Sequence, residues 1–256
     1  MQPVLEVCVD SVDSAICAVC GGAMRLELCA NLMIGGTSPD EDLFRMVREQ
    51  TTVPIRVLLR PRCGDFLYTE NEFALLCRQV ERFAALGADG VVIGALTPEG
   101  ALDEKRMAKL IGLAGGCGVT LHRAFDVCRD PFAALEAAKR LGVDTILTSG
   151  QQAACTDGVP LLRELVSAAG QEVQILIGAG VTADVIGALH RATGANAFHL
   201  SAKRVEDSRM QFRRENVPMG LPGLSEFSLW QCDENAVRAA RKAFDACCGT
   251  MQEVQQ

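Results

Sequence analysis

The chain contains few aromatic residues and no cluster of positive charge. Aromatic side chains make up 5% of the 256 residues, with a single Trp and a single Tyr, so the core is expected to be mainly aliphatic. There are 25 Lys and Arg residues against 32 Asp and Glu residues, which gives a formal net charge of -7. Because nucleic-acid phosphates are bound by clustered Lys and Arg, we expect no nucleic-acid partner.

Long apolar runs are also absent from the sequence. No stretch approaches the roughly 18 consecutive apolar residues that a membrane-spanning helix needs, and the N-terminus has no basic start followed by an apolar segment. The 12 cysteines are dispersed along the chain, which favours free thiols over a disulfide framework. We therefore expect a cytoplasmic protein without a membrane partner.

Strand-like and helix-like segments alternate along the whole chain. Apolar, β-rich runs recur at intervals of roughly 20 to 35 residues with helical patterns between them. They begin near Val4, Met24, Pro54, Asp89, Gly118, Val143, Glu172 and Ala195. Eight such units predict a single (β/α)8 TIM barrel, which commonly occupies about 250 residues as one domain. We expect this domain to cover residues 1–256, with an irregular insertion over about 203–227 after the eighth strand.

The first two predicted strands carry acids and thiols on one face. Residues i and i+2 share a face of a strand, so Glu6 lies with Cys8, and Arg25 and Glu27 lie with Cys29. We place Cys8 and Cys29 at equal heights on neighbouring strands, roughly 5 Å apart in the sheet. Cu(I) prefers soft thiolate ligands, so this pair is a candidate copper site; plain packing of buried thiols is the alternative.

Ionisable side chains also recur at the carboxyl ends of other predicted strands, where TIM barrels place their active sites. Buried charge is costly unless it is paired, so this convergence indicates a functional site. The candidate catalytic residues are Glu6, Glu27, Arg60, His122, Asp126 and His199. The candidate substrate-binding residues are Arg25, Arg62, Asp65, Ser149, Gly178, Gly180 and Ser201.

These residue types support an enzyme as well as a metal site. Arg60 or Arg62 can hold a carboxylate or a phosphate through two hydrogen bonds. Glu6, Glu27 or His122 can act as a general acid or base once burial has tuned its pKa. The same acids also fit an internal ion-pair network that only stabilises the barrel.

A set of short motifs spans nearly the whole chain in a fixed order. They are Glu27-Leu28-Cys29, Gly35-Gly36, Arg60-Pro61-Arg62, Gly64-Asp65-Phe66, His122-Arg123-Ala124-Phe125-Asp126, Leu147-Thr148-Ser149-Gly150 and His199-x-Ser201-Ala202. In this order the motifs resemble the copper homeostasis protein CutC family. The resemblance implies a TIM barrel, a cytosolic protein linked to copper handling, Cu(I) bound at thiols, and a homo-oligomer, either a dimer or a tetramer. One departure is Cys63, which stands where relatives usually have Gly.

Two functions are therefore expected. The first is copper homeostasis with Cu(I) bound by Cys8 and Cys29 at the barrel mouth. The alternative is an enzyme of lyase, isomerase or hydrolase type that acts on a small anionic metabolite, so the partner is a copper ion or a small anion. We expect the adjacent Cys247 and Cys248 of the last helix not to face one partner, and His190 to be a surface residue.

Overall fold

Eight parallel strands close into a barrel in the computed structural model, and each strand pairs with its neighbours in the chain. The structure describes residues 1–214, 216–217, 219–220, 223 and 225–249. The strands are β1 Val4–Val9, β2 Arg25–Leu28, β3 Ile55–Leu58, β4 Gly90–Ile93, β5 Gly118–Leu121, β6 Thr145–Thr148, β7 Gln174–Ile177 and β8 Ala197–Leu200. The predicted (β/α)8 TIM barrel is confirmed, and each strand begins at or shortly after its predicted start.

A helix follows each barrel strand in the described part of the chain. The helices are α1 Val12–Gly21, α2 Glu41–Gln50, α3 Glu70–Ala85, α4 Glu104–Leu113, α5 Pro131–Leu141, α6 Val159–Ala169, α7 Ala183–Thr193 and α8 Glu234–Cys248. Local sequence sets their starts: Thr69 and Glu72 form a reciprocal capping box at α3, and Pro131 occupies the first turn of α5 after the Asp130 cap. None of the described helices is both long and apolar enough to span a bilayer.

The strands separate an aliphatic core from a barrel interior that holds charged side chains together with two small apolar clusters. Leu5 and Val7 of β1 and Leu26 of β2 point outward and pack in the core that the helices cover. Because side chains alternate along a strand, Glu6 and Cys8 point inward, into the barrel. The alternation predicted from the sequence therefore holds, and it places acids and thiols inside.

The chain after β8 forms a small second sheet before the last helix. Strand β9 (Lys203–Asp207) pairs with β10 (Ser228–Cys232) in antiparallel register. The segment over about 203–227, which we expected to be irregular, therefore begins with a strand; its residues 215, 218, 221, 222 and 224 lie outside the described residues. All cysteines of the chain lie in the described part and are free thiols.

Candidate functional site

A buried ion-pair layer crosses three strands in the barrel interior. Strand register places Glu6 of β1 opposite His199 of β8 and opposite Arg25 of β2. Oε1 of Glu6 lies 2.7 Å from Nδ1 of His199, and Oε2 accepts a hydrogen bond from Nε of Arg25. Both oxygens of a fully buried carboxylate are thus occupied. We call these three residues the ion-pair layer.

Neighbouring charged side chains determine the protonation states of the ion-pair layer. Burial acts to raise the pKa of Glu6, but Arg25 and His199 outweigh burial and lower it to about 2. Burial acts to lower the pKa of His199, but Cys8, Glu27 and Glu6 raise it well above its usual value. At neutral pH Glu6 is therefore a carboxylate and His199 an imidazolium that donates its Nδ1–H to Glu6.

A cavity of 130 Å³ lies on the carboxyl-terminal side of the ion-pair layer, at the barrel mouth. We call it the mouth cavity. It is lined by Cys8, Glu27, Cys29, Leu32, Gly35, Gly36, Leu58, Arg60, Phe66, His122, Arg123, Leu147 and His199. This is the end of the fold at which TIM barrels bind their ligands.

Three buried polar atoms of the mouth-cavity residues have no hydrogen-bond partner among the described residues. They are Oε2 of Glu27, Nε of Arg60 and Nε2 of His122. Buried polar groups are nearly always paired in folded proteins, because an unpaired one costs about 1–3 kcal/mol. Three such atoms around one cavity therefore indicate that the cavity is shaped to bind something polar.

Glu27 is the cavity residue best suited to exchange a proton. Burial, with a smaller contribution from Glu6, raises its pKa to about 7, although His199, Arg25 and Arg56 act to lower it. A carboxyl with this pKa is partly protonated at neutral pH. It can therefore both donate and accept a proton, as a general acid or base must.

His122 presents a hydrogen-bond donor to the mouth cavity. Its Nδ1 accepts a hydrogen bond of 3.2 Å from the backbone N–H of Ala124, so the proton of the neutral ring is on Nε2. Burial and the charge of Arg60 lower its pKa to about 3, so the ring stays neutral at pH 7. The ring packs on Phe66 with the centroids 4.7 Å apart.

The two predicted copper ligands line the same cavity at different heights. Register pairs Cys8 with Glu27, so Cys29 lies two residues closer to the carboxyl ends of the strands. Our expectation that Cys8 and Cys29 are level is therefore wrong. Burial and the neighbouring Cys8 raise the pKa of Cys29 well above its usual value, so a metal ion that binds its sulfur must displace a proton.

Arg60 braces two loops at the mouth. Its Nη1 donates to the carbonyl oxygens of Gly35 and Gly36, each at 3.2 Å, and its Nη2 donates to the carbonyl oxygen of Gly64 at 2.6 Å. Its guanidinium also lies over the ring of Phe66, 4.9 Å from the centroid. These bonds leave Nε as the group of Arg60 that lacks a partner at the cavity.

Known proteins are similar in sequence to this chain over most of its length. Residues 3–204 match the family model described as the CutC family. The chain belongs to the CutC family. A CutC family protein of Parabacteroides distasonis is 45% identical over 241 residues, which cover 93% of this chain and 99% of that protein. The copper homeostasis protein cutC homolog of Mus musculus is 40% identical over 235 residues, which cover 91% of this chain and 86% of that protein.

A solved structure agrees with the family assignment. The CutC protein of Streptococcus agalactiae superposes with a TM-score of 0.72 at 26% identity, covering 78% of this chain and 99% of that one. The resemblance seen in the motifs is thus confirmed, and so is the fold that it implied.

In this CutC chain, Asp126 and Ser149 lie beside the mouth cavity without lining it. Asp126 accepts hydrogen bonds from Oγ1 of Thr148 at 2.5 Å, from Oγ of Ser149 at 3.0 Å and from Nε of Arg123 at 2.6 Å. The side chain therefore ties the loop after β5 to the loop after β6. Asp126 thus positions Arg123, which does line the cavity.

The remaining predicted binding residues lie in other places. Arg62 pairs with Asp65 at 2.9 Å and with Glu72 at 2.6 Å on the outer side of the third loop. Ser201 lines a neighbouring cavity of 10 Å³, which shares Cys8 and Leu32 with the lining of the mouth cavity. Arg25 lines a cavity of 510 Å³ at the amino-terminal ends of the strands, which we call the floor cavity.

The two predicted glycines of the seventh loop shape the backbone. A Cβ on Gly178 would lie 2.6 Å from Cδ1 of Leu147 and 3.7 Å from Cβ of His199, so this glycine leaves room for two cavity residues. Gly180 has a φ of +80°, which favours glycine. Both residues thus support the site without lining the mouth cavity.

Sequence reasoning missed Arg56, which fills the barrel interior on the floor side. Its Nη1 donates to Oγ1 of Thr120 at 2.5 Å, and its Nη2 lies 2.7 Å from Oδ1 of Asp144. Two glycines at the starts of β4 and β5 were the sequence signal for this side chain. A Cβ on Gly90 would lie 3.0 Å from Cγ of Arg56, and a Cβ on Gly118 would lie 2.8 Å from Nη2 of Arg56. Small residues at those positions make room for one long side chain.

Two groups of side chains in the described residues bring three metal-ligand atoms within 4.8 Å of one another. One group is Glu6, Glu27 and His199, and the other is His190, Cys247 and Cys248. The first offers oxygen and nitrogen, which suit harder ions than Cu(I), and Glu6 and His199 already bind each other. The second lies at the ends of two outer helices and was not predicted.

Proposed function

We propose that this protein handles copper in the cytoplasm and binds Cu(I) in the mouth cavity through the thiolates of Cys8 and Cys29. The observation that carries the proposal is that Cys8 and Cys29 both line one small cavity. Soft thiolates are the protein ligands that select Cu(I). The name of the mouse relative, copper homeostasis protein cutC homolog, supports the same function.

Two cationic side chains of the cavity offset the negative charge of a copper–thiolate centre. Two thiolates with one Cu(I) carry a net charge of about -1, because each thiolate contributes one negative charge and the ion one positive charge. The cations of His199 and Arg60 line the same cavity and compensate that charge. The copper ion is here the cargo of the protein, and the cavity is small enough to shield it from larger thiols.

The test is a Cu(I) titration under anaerobic conditions against a competing chelator. We expect the copper bound per chain to fall by one equivalent in the Cys8→Ser/Cys29→Ser double variant. Cys63→Ser is the matched control, because Cys63 is an exposed thiol outside the cavity lining and its loss should change nothing. Unchanged stoichiometry and affinity in the double variant would remove Cys8 and Cys29 as copper ligands.

A second function, an enzyme acting on a small anionic metabolite, is favoured by the three unpaired atoms of Glu27, Arg60 and His122. Glu27 is suited to transfer a proton, while Nε2–H of His122 can donate to an oxygen on which negative charge develops. Arg123 supplies a further cation at the cavity wall. Such a site fits a reaction of lyase, isomerase or hydrolase type on a molecule of few atoms.

Ligand-dependent thermal stability separates the two functions. Small carboxylates and phosphates are added to the wild type, to Glu27→Gln and to the Cys8→Ser/Cys29→Ser variant. For an enzyme, one of these anions should raise the Tm of the wild type and of the thiol variant but not that of Glu27→Gln. If no anion raises the wild-type Tm while Cu(I) does, the enzyme proposal is contradicted.

We also propose that the protein forms a homo-oligomer, a dimer or a tetramer. The segment after β8 exposes large apolar side chains; Phe212 is 65% exposed and Met219 is 78% exposed. Met210 and Val217 of the same segment are also exposed, and several exposed apolar side chains in one segment favour contact with another protein chain. Light scattering should give a mass of two or four chains, and Phe212→Ser should lower it; a monomeric wild type would contradict the proposal.

A further inference from the structure

Two thiols and an imidazole meet where helices α7 and α8 end, outside the barrel. Sγ of Cys247 lies 3.5 Å from Sγ of Cys248, which in turn lies 3.4 Å from Nδ1 of His190. Our expectation that the adjacent cysteines cannot face one partner is therefore wrong. The reason is that Sγ of Cys247 turns back along the helix, to within 3.3 Å of the carbonyl oxygen of Ala243, and so stays beside Cys248.

The spacing of these donors is that of a metal-ligand set. In a tetrahedral site with metal–sulfur bonds of about 2.3 Å and metal–nitrogen bonds of about 2.05 Å, two sulfurs lie about 3.8 Å apart and a sulfur and a nitrogen about 3.6 Å apart. The observed separations of 3.5 Å and 3.4 Å are within about 0.3 Å of these values. Two of the three donor separations therefore suit one ion, and the third is at most 4.8 Å; binding through Nδ1 also requires His190 to release its hydrogen bond to Ala195.

The local electrostatics also favour a cation. Cys247 and Cys248 lie in the last turn of α8, and His190 lies in the last turn of α7. The carbonyl ends of helices carry partial negative charge, which attracts cations, and here two such ends lie together. All three residues are partly exposed, so an ion can reach them from solvent.

We propose that His190, Cys247 and Cys248 form a second metal site, for a thiophilic ion of the Zn(II) or Cu(I) type. A Cys2His set leaves a fourth position open, which suits an ion that exchanges with other carriers. Nδ1 of His190 also lies 2.8 Å from the carbonyl oxygen of Ala195. His190 keeps this hydrogen bond if it binds the ion through Nε2 and exchanges it for the metal bond if it binds through Nδ1.

The test uses the full chain, reduced and free of oxygen, titrated separately with Zn(II) and with Cu(I) against chromophoric chelators. We expect Cys247→Ser/Cys248→Ser to lose one equivalent of the preferred ion, and His190→Gln to weaken the same equivalent. The Cys8→Ser/Cys29→Ser variant should keep it, so failure of the mouth-cavity site and failure of this site are distinguishable. Cys63→Ser again serves as the control for loss of an exposed thiol.

Co(II) provides a second readout that reports the ligands directly. Bound Co(II) should give a thiolate-to-metal charge-transfer band that is absent from Cys247→Ser/Cys248→Ser and shifted in His190→Gln, while both variants keep the far-UV circular dichroism of the wild type. Single variants Cys247→Ser and Cys248→Ser replace the double variant if that one does not fold. Binding of neither ion, or the same stoichiometry and Co(II) spectrum in the variants, would overturn the site.

Discussion

The ion-pair layer of Arg25, Glu6 and His199 makes a strong prediction about stability. Replacing Glu6 by Gln keeps the shape of the side chain and removes its charge, so Arg25 is left buried with no anion within the layer. Breaking a buried ion pair by removing one partner costs about 3–5 kcal/mol, because the remaining charge stays desolvated. We therefore expect the free energy of unfolding of Glu6→Gln to fall by about that amount at pH 7.

Urea unfolding followed by circular dichroism measures this change. Glu104→Gln is the matched control, since Glu104 pairs with Arg140 at 2.8 Å on the surface, with side chains 49% and 60% exposed, and exposed pairs contribute about 0–1 kcal/mol. Adding Arg25→Met to Glu6→Gln should recover part of the loss, because it removes the uncompensated cation. A loss below about 1 kcal/mol in Glu6→Gln, equal to the control, would refute the reasoning.

The pH dependence of stability gives the same layer an independent test. The pKa of Glu6 is lowered from 4.5 to about 2 in the folded protein. Its stabilising contribution is therefore fully present above pH 4.5 and is lost as the pH falls toward about 2. The free energy of unfolding of Glu6→Gln should therefore not fall over this pH range as that of the wild type does. The same fall at acid pH in both proteins would contradict a salt-bridged Glu6.

Three further predictions concern other parts of the mouth. Folding raises the pKa of Glu27 to about 7, so the folded state binds more protons and the free energy of unfolding should fall as the pH rises from 4.5 to about 7. Urea titrations of Glu27→Gln should lack this pH dependence, and an unchanged pH dependence would show that another group causes it. Gly36→Ala should lower the free energy of unfolding by about 1–3 kcal/mol, because φ is +83° and a Cβ would lie 2.6 Å from a leucine methyl. The control Gly112→Ala, which has open space around it in α4, should raise the free energy of unfolding by about 0.5–1 kcal/mol. Equal effects of the two substitutions in thermal unfolding would contradict this reasoning. Asp126→Asn should lower the free energy of unfolding by about 2–4 kcal/mol, because it weakens the hydrogen bonds to a charged carboxylate. The control Asp65→Asn on the surface should lower it by less than about 1 kcal/mol, and similar losses in the two variants would refute the prediction.

Periodicity predicted the fold because it depends only on local sequence. The alternation along β1 and β2 was enough to send Glu6, Cys8 and Glu27 into the barrel. Relative height was not predictable in the same way, because the stagger between strands follows from closure of the whole barrel and not from any one strand. Cys29 therefore lies farther toward the mouth than Cys8, although each strand was correctly oriented.

The roles of individual polar side chains depended on partners that the sequence does not reveal. Arg60 looked available for an anion, yet three backbone carbonyls take its terminal nitrogens. Asp126 looked catalytic, yet it accepts hydrogen bonds from three side chains of its surroundings. Cys247 and Cys248 were expected to face apart as neighbours on a helix, yet their sulfur atoms lie 3.5 Å apart because the side chain of Cys247 turns back toward Ala243.

The ion-pair layer also determines how the barrel can exchange its contents. His199 lines the mouth cavity and Arg25 lines the floor cavity. The fully buried side chain of Glu6 lies between these two residues and binds both of them. Among the described residues, the ion-pair layer thus lies between the mouth cavity and the floor cavity and separates the two along the barrel axis. On the proposed function, a protein that takes Cu(I) from the mouth cavity would therefore dock on the face formed by the loops that follow the strands.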